Sequence, residues 1–323
     1  MGISDLHTFF IYVFFGYFLI FPAVLLCLKL FQIESPRQRI QIYLLALATP
    51  FVGFILYHTV LTKRCDAGII FTGPGWQLFN SLCLLGIGAL RFLGPLLVGM
   101  LIFGLLKAVA GSFYVARIRR REIVPAAMEQ KRVAVIISRQ SARLGMRVPE
   151  VLYCSRDGFV AFATGVGPPL VVVSAPLLAQ LEDSELEGIL THELIHILRG
   201  DTLTGWFVHL ARDAMFFSPF STMLLDRYLL ERERLCDGET VQMLGTGRVY
   251  AATLLKVWRL LLDRREFKAG LAPGFTGNKR DLELRITSLL GGEQAAASIP
   301  NVMFYTLLFA LFTITVLYLG LIC

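Results

Sequence analysis

Apolar positions in this chain fall into two regimes, long unbroken runs and short periodic ones. Phe9 to Leu30, Ile40 to Leu61, Leu78 to Ala110 and Asn301 to Cys323 are runs of the length that crosses a bilayer. Between the third and the fourth the pattern turns periodic. Val133 to Gly145 predicts a helix, and Val151–Cys154, Val160–Thr164 and Leu170–Ser174 predict short strands. Leu181-Glu182-Asp183-Ser184 supplies acidic and capping residues for another helix start. Leu186, Ile189, Leu190, Leu194 and Ile197 continue it at helical spacing, and Arg199-Gly200 provides the cation and glycine of a helix end. Leu203 to Leu225 is apolar but contains His209, Arg212 and Asp213. It reads as an amphipathic helix beside the membrane or under the preceding helix, with a re-entrant hairpin as the alternative.

Composition points the same way. The chain is 55% hydrophobic, with a net charge of +7, and its mean hydropathy is +0.64, above the range of an ordinary globular domain. The first run lacks a basic leader and a small-residue cleavage site, so it reads as a retained helix. The expected fold class is α+β within a multipass α-helical membrane protein. Residues 1–115 would hold three spans, 116–298 an inserted domain, and 299–323 a C-terminal span. Lys29, Arg37 and Arg39 follow the first run, and Arg117, Arg119, Arg120 and Arg121 follow the third; Lys63 and Arg64 oppose them and are outnumbered. The basic excess places both termini outside and the inserted domain in the cytosol, at the inner membrane of the cell. Basic residues meeting anionic head groups account for the positive charge without nucleic acid, which is not expected as a partner. Arg91 falls inside the third run and reads as lying near a boundary where Gly94-Pro95 breaks the helix, with a buried switch or structural ion pair as the alternative. The six cysteines form no disulfide framework, and Cys323 does not end a prenylation signal.

The densest chemistry lies in His192-Glu193-Leu194-Ile195-His196. On a helix, residues four apart share a face, so both imidazoles can reach one Zn²⁺. Glu193 sits about a third of a turn round, placed to deprotonate a water polarised by the ion, the chemistry of a metallopeptidase. A third protein ligand is needed, and Glu231-Arg232-Glu233-Arg234-Leu235-Cys236-Asp237-Gly238 offers one. If the segment is helical, Glu233 and Asp237 share a face. Glu233 can then bind the metal while Asp237 accepts an N–H from a ligating histidine. Glu231, Glu239 and the softer Cys236 remain weaker candidates.

His196-x-x-Arg199-x-Asp201, Phe216-Phe217-Ser218-Pro219-Phe220 and Arg232-Glu233-x-x-Cys236-Asp237 resemble the signature of the BlaR/MecR-type membrane metallopeptidases. Ala161-Phe162-Ala163-Thr164-Gly165 leading to Pro169–Ser174 is similar to the HtpX and CAAX-endopeptidase group, and Leu284-Arg285-Ile286-x-x-Leu289-Leu290 is a weaker echo. The resemblance implies a gluzincin-like domain with one zinc per chain on His192, His196 and Glu233, and Glu193 as catalytic base. Two departures stand out. The His-Pro pair of HtpX-like enzymes is replaced by Thr276-Gly277-Asn278-Lys279-Arg280, which hides any electrophilic histidine. The penicillin-binding domain of the antibiotic sensors is absent from this sequence, so a β-lactam receptor of that design is not expected.

The expected activity is therefore a zinc endopeptidase that cleaves peptide bonds at the cytosolic membrane face in regulated signalling proteolysis. Membrane-protein quality control and a non-catalytic transducer with structural zinc are the alternatives. Expected partners are a protein or peptide substrate, the lipid bilayer, and a cytosolic repressor or membrane partner. Val160-Ala161-Phe162-Ala163 is the expected edge strand for an extended substrate. Leu271 to Asn278 reads as a loop near the site, and Lys63 to Gln77 as the sizeable outer loop.

Overall fold

A computed structural model describes residues 3–56, 102, 106, 109, 123, 125–154, 161–164, 169–215, 218–245, 247–263, 279–291 and 298–322. Most of the third apolar run, Arg91, the loop 63–77, Arg117 to Arg121, Val160, Phe216-Phe217, the segment 271–278 and Cys323 lie outside these residues. The elements in chain order are α1 (Ile3–Leu30), α2 (Pro36–Leu56), α3 (Ala127–Arg143), β1 (Glu150–Cys154), β2 (Ala161–Thr164), β3 (Leu170–Ser174), α4 (Ala175–Gln180), α5 (Asp183–Arg199), α6 (Asp201–Ala214), α7 (Pro219–Leu244), α8 (Gly247–Asp263), α9 (Lys279–Leu290) and α10 (Asn301–Ile322). They divide into two compact units, one of residues 1–107, 208–229 and 296–323, the other of 108–207 and 230–295.

In the first unit α1, α2 and α10 pack on one another. Tyr17, Ile20 and Val24 of α1, Ile42 and Ala46 of α2, and Phe304 of α10 are buried. Tyr17 donates its hydroxyl proton to the Leu47 carbonyl at 2.7 Å. The Gln38 amide clamps the backbone of Ile299, donating at 2.8 Å and accepting at 3.1 Å. Among the described residues no helix is long and apolar enough to cross a membrane. That overturns the expected multipass α-helical architecture. The physical reason is that an apolar run demands surroundings other than water without saying which. Here buried faces of α1, α2 and α10 find them in neighbouring helices. The run from Leu203 to Leu225 is not one helix either. It breaks between α6 and α7, where Pro219 opens the second helix, a position at which proline's missing N–H costs nothing.

The second unit is built on a three-stranded sheet in the order β1-β3-β2. β1 runs parallel to β3 with Leu152 opposite Val172, and β2 runs antiparallel with Phe162 opposite Val172. All of β3 is buried, as its central place requires, and β2 forms an edge that packs against α5. The core joins Ile137 of α3, Val171 and Val173 of β3, Leu190 and Leu194 of α5, and Leu254 of α8. Burying each such side chain stabilises by about 1.5–3 kcal/mol, which anchors α5 firmly enough to carry polar residues inward. The ends of α5 are set locally. Glu185 accepts the Glu182 N–H at 2.9 Å, and Gly200 closes the helix in the left-handed conformation at φ 68°, which glycine adopts without a Cβ clash.

Candidate metal centre

Helical geometry places His192 and His196 one turn apart on α5, and α7 brings Glu233 and Asp237 one turn apart beside them. The Nε2 atoms of the two imidazoles face each other at 3.1 Å. Glu233 Oε2 lies 3.4 Å from Nε2 of His192, and its Oε1 3.7 Å from Nε2 of His196. All three donors fall within 4.8 Å of one another. A tetrahedral ion with ligands at roughly 2.0–2.1 Å separates them by about 3.3 Å, so the spacing fits a small divalent cation.

The donor chemistry fits as well. Glu233 Oε2 is buried and accepts no hydrogen bond among the described residues. Burial pushes the His196 ring down, but Glu233, Cys236 and Asp201 together outweigh burial and leave it well above its ordinary range. Burial likewise lowers His192, and the nearby Asp237 and Glu233 carboxylates together more than offset it. Burial raises Glu233, yet His196, His192 and Arg232 together hold it well below the usual carboxylate range. The carboxylates of Glu233, Asp237 and Asp201 thus concentrate negative charge around the two imidazoles that protons on the rings neutralise, and a divalent cation supplies the same charge while releasing those protons.

The far nitrogens are anchored. Nδ1 of His196 lies 2.8 Å from Asp201 Oδ2. Nδ1 of His192 lies 3.0 Å from the Tyr250 hydroxyl and 3.3 Å from Asp237 Oδ1. Arg285 donates to both Asp237 oxygens at 2.7 Å and approaches Glu233 Oε2 at 3.3 Å. Arg232 donates to Glu233 Oε1 at 2.9 Å. Burial raises the Asp237 carboxyl, and the charge and hydrogen bonds of Arg285 together with the neighbouring His192 more than reverse this, to about 2. Glu193 is 5% exposed, and one carboxylate oxygen accepts the Ala163 N–H at 2.7 Å. Burial raises its pKa against the lowering pull of both histidines and that N–H, which suits a group that must take a proton.

The model of the family described as BlaR1 peptidase M56 matches residues 93–289. The chain belongs to the BlaR1 peptidase M56 family. Among curated relatives, a Protease HtpX homolog of Desulfotalea psychrophila is 27% identical over 51% of this chain and 60% of its own length. Protease HtpX of Hydrogenovibrio crunogenus is 27% identical over 45% of this chain and 51% of its own. A Protease HtpX homolog of Nostoc punctiforme reaches 42% identity over a shorter stretch, 21% of this chain and 25% of its own. The chain spans about half the length of the first two relatives. The resemblance read from the spaced motifs agrees with both comparisons.

Of the residues singled out in the sequence, the structure gathers His192, His196, Glu233 and Asp237 in one cluster with Glu193 beside it on α5. Ala161, Phe162 and Ala163 form most of the edge strand β2, and Val160 lies outside the described residues. The weaker ligand candidates are placed elsewhere. Glu231 pairs with Arg234 at 3.0 Å and Glu239 with Arg199 at 3.2 Å. Cys236 Sγ lies 3.4 Å from Nδ1 of His196, the nitrogen turned away from Glu233, and burial pushes its thiol up to about 11. With Asp201 and His196 it makes a second group of metal-capable donors, but one that draws on the opposite nitrogen of the shared ring. Sequence reasoning gave no role to Asp201, Tyr250 or Arg285. The first and last stand in the quoted motifs, whereas Tyr250 sits on the apolar face of an amphipathic helix and carries no signal beyond that of a core aromatic.

Proposed function

We propose that this chain is a zinc-dependent endopeptidase in which His192, His196 and Glu233 hold one Zn²⁺ and Glu193 is the general base. The observation that carries the reading is the convergence of three donor residues, His192 buried and His196 and Glu233 half-buried, with one Glu233 oxygen that is buried and accepts no hydrogen bond among the described residues, next to a second, buried carboxylate with a raised pKa. The chemistry a divalent cation supplies at such a place is Lewis-acid polarisation of a carbonyl and of water. The chain's own residues do the rest. The Ala163 N–H holds one oxygen of Glu193, leaving the other to take the proton of the attacking water and deliver it to the leaving amine. Asp201 and the Asp237–Arg285 pair keep the imidazoles oriented.

An extended protein or peptide substrate would lie along β2. Strand alternation turns the backbone groups of Ala161 and Ala163 to the same side, and because Glu193 already takes the Ala163 N–H, Ala161 and the Ala163 carbonyl remain for pairing. Work at a membrane, with the site facing the cytosol and cleavage serving signalling, completes the proposal. Membership of the BlaR1 peptidase family supports it, as do the apolar side chains that α1 and α10 expose, among them Leu26 and Phe309; no membrane-crossing helix is part of it.

Glu193→Gln tests the reading. Purified variant should keep stoichiometric zinc and lose about 10²- to 10⁴-fold in cleavage rate, whereas His196→Ala should lose the metal. Turnover at the unaltered rate in Glu193→Gln would remove the assigned base and leave a structural metal site in its place.

A further inference from the structure

We infer that Tyr250 is a positioning residue for His192, a phenolic spacer through which the Asp237–Arg285 pair fixes which imidazole nitrogen faces the metal; this rests on the metal reading given above. The Tyr250 hydroxyl carries one proton, and it donates this to Asp237 Oδ1 at 3.0 Å. Asp237 is an obligate acceptor, because Arg285 already donates to both its oxygens. The phenolic oxygen is then left to accept, and what lies 3.0 Å away is Nδ1 of His192. In the neutral ring that a metal ligand must be, Nδ1 therefore carries the hydrogen, which leaves Nε2 bare on the side of His196 and Glu233. The direct path from Nδ1 to Asp237 is longer, 3.3 Å, so the carboxylate acts on this ring mainly through the phenol.

A second observation shows that the ring's place is built into α5. Gly188 stands one turn before His192, and a Cβ there would come within 2.9 Å of Tyr250 Cδ2, closer than side-chain contacts allow. Glycine inside a helix is less stable than alanine. The local disadvantage is explained by the notch it makes for Tyr250, which is 2% exposed. Gly188 and Tyr250 thus form a key and slot between α5 and α8, and the keyed side chain ends at the far nitrogen of a ligand.

The test uses the metal-free full chain titrated with Zn²⁺ against a competing chelator. Tyr250→Phe keeps the ring and removes only the hydroxyl. It should weaken zinc binding about 10- to 100-fold, the usual effect of losing a group that orients a metal-ligating histidine. Gly188→Ala, which displaces the ring, should weaken binding in the wild-type background but change it by less than about twofold in Tyr250→Phe, since coupled sites are not additive. A purely structural role for the tyrosine would leave zinc affinity within about twofold of wild type in Tyr250→Phe, or make the two losses additive; either result overturns the inference. Should Tyr250→Phe fail to fold, Gly188→Ala alone decides, and undiminished affinity there overturns it. If wild-type chain binds no zinc, the metal reading itself falls and takes this inference with it. Wild-type binding with an unaffected Tyr250→Phe sinks the inference alone.

Discussion

His192 and His196 turn the same atom toward the same point, yet their far nitrogens are held by different devices. His196 Nδ1 meets Asp201 directly at 2.8 Å. That aspartate lies five residues on, just past Gly200, whose left-handed turn ends α5. His192 Nδ1 is served by Tyr250 from α8, Asp237 from α7 and Arg285 from α9. One arm is made by a single turn of the chain, and the other exists only when three further helices are packed. The difference teaches where each arm is vulnerable. The local arm fails when its own carboxylate is lost, while the assembled arm fails with any of its members and takes buried charge with it.

The largest effect is expected at the far end of the assembled arm. Asp237 is 1% exposed and Arg285 7%, so Arg285→Met strands a buried carboxylate and should cost about 3–5 kcal/mol in urea unfolding. Acid unfolding should respond too. Asp237 titrates near 2 in the folded chain and near 3.9 when unfolded. Its stabilisation is therefore complete above the unfolded value and is lost as pH falls through the folded one. Without Arg285 that protection ends at higher pH, and the acid midpoint should rise. If neither midpoint moves, Asp237 is not held by this pair and the assembled arm loses its anchor.

Asp201→Asn probes the local arm. An amide at this position no longer supplies a charge to His196 Nδ1, and zinc affinity should drop about 10- to 100-fold by chelator competition. The loss of fold stability should be smaller than for Arg285→Met, because the Arg199 guanidinium, 3.5 Å from Asp201, keeps its bond to Glu239 at 3.2 Å and no buried carboxylate is stranded. Equal destabilisation by the two substitutions would erase the contrast between the arms.

Glu239→Gln should do least. Its bond to Arg199 at 3.2 Å sits at the end of α5, with side chains 31% and 18% exposed, where such a pair contributes under about 1 kcal/mol. Zinc affinity should not change. A measurable loss of affinity would extend the His196 arm outward to this pair.

The start of α5 at Leu181–Ser184 and its stop at Arg199-Gly200 were readable from capping residues, and the strands of β1, β2 and β3 from their apolar runs. The pairing of His192 with His196, and of Glu233 with Asp237, followed from four-residue spacing on helices that the structure does contain. Tyr250 was unreadable for a physical reason. In Val249-Tyr250-Ala251-Ala252 a tyrosine has the signature of any core aromatic, and its hydroxyl acquires a role only once α8 lies against α5. Gly188 was invisible for the same reason, since the notch matters only to a ring that arrives from sixty residues away.

By itself the sequence determined the local geometry of the centre, meaning which residues share a helix face, where α5 starts and stops, and which family motifs are present. These depend on spacings within a turn or two, which helix geometry sets wherever the helix is placed. Only the tertiary structure decided what surrounds the apolar runs, which carboxylate serves which imidazole, and that a phenol stands between Asp237 and His192. Such contacts join positions tens of residues apart, and their distances are set by how helices pack, a property that no spacing along the chain contains.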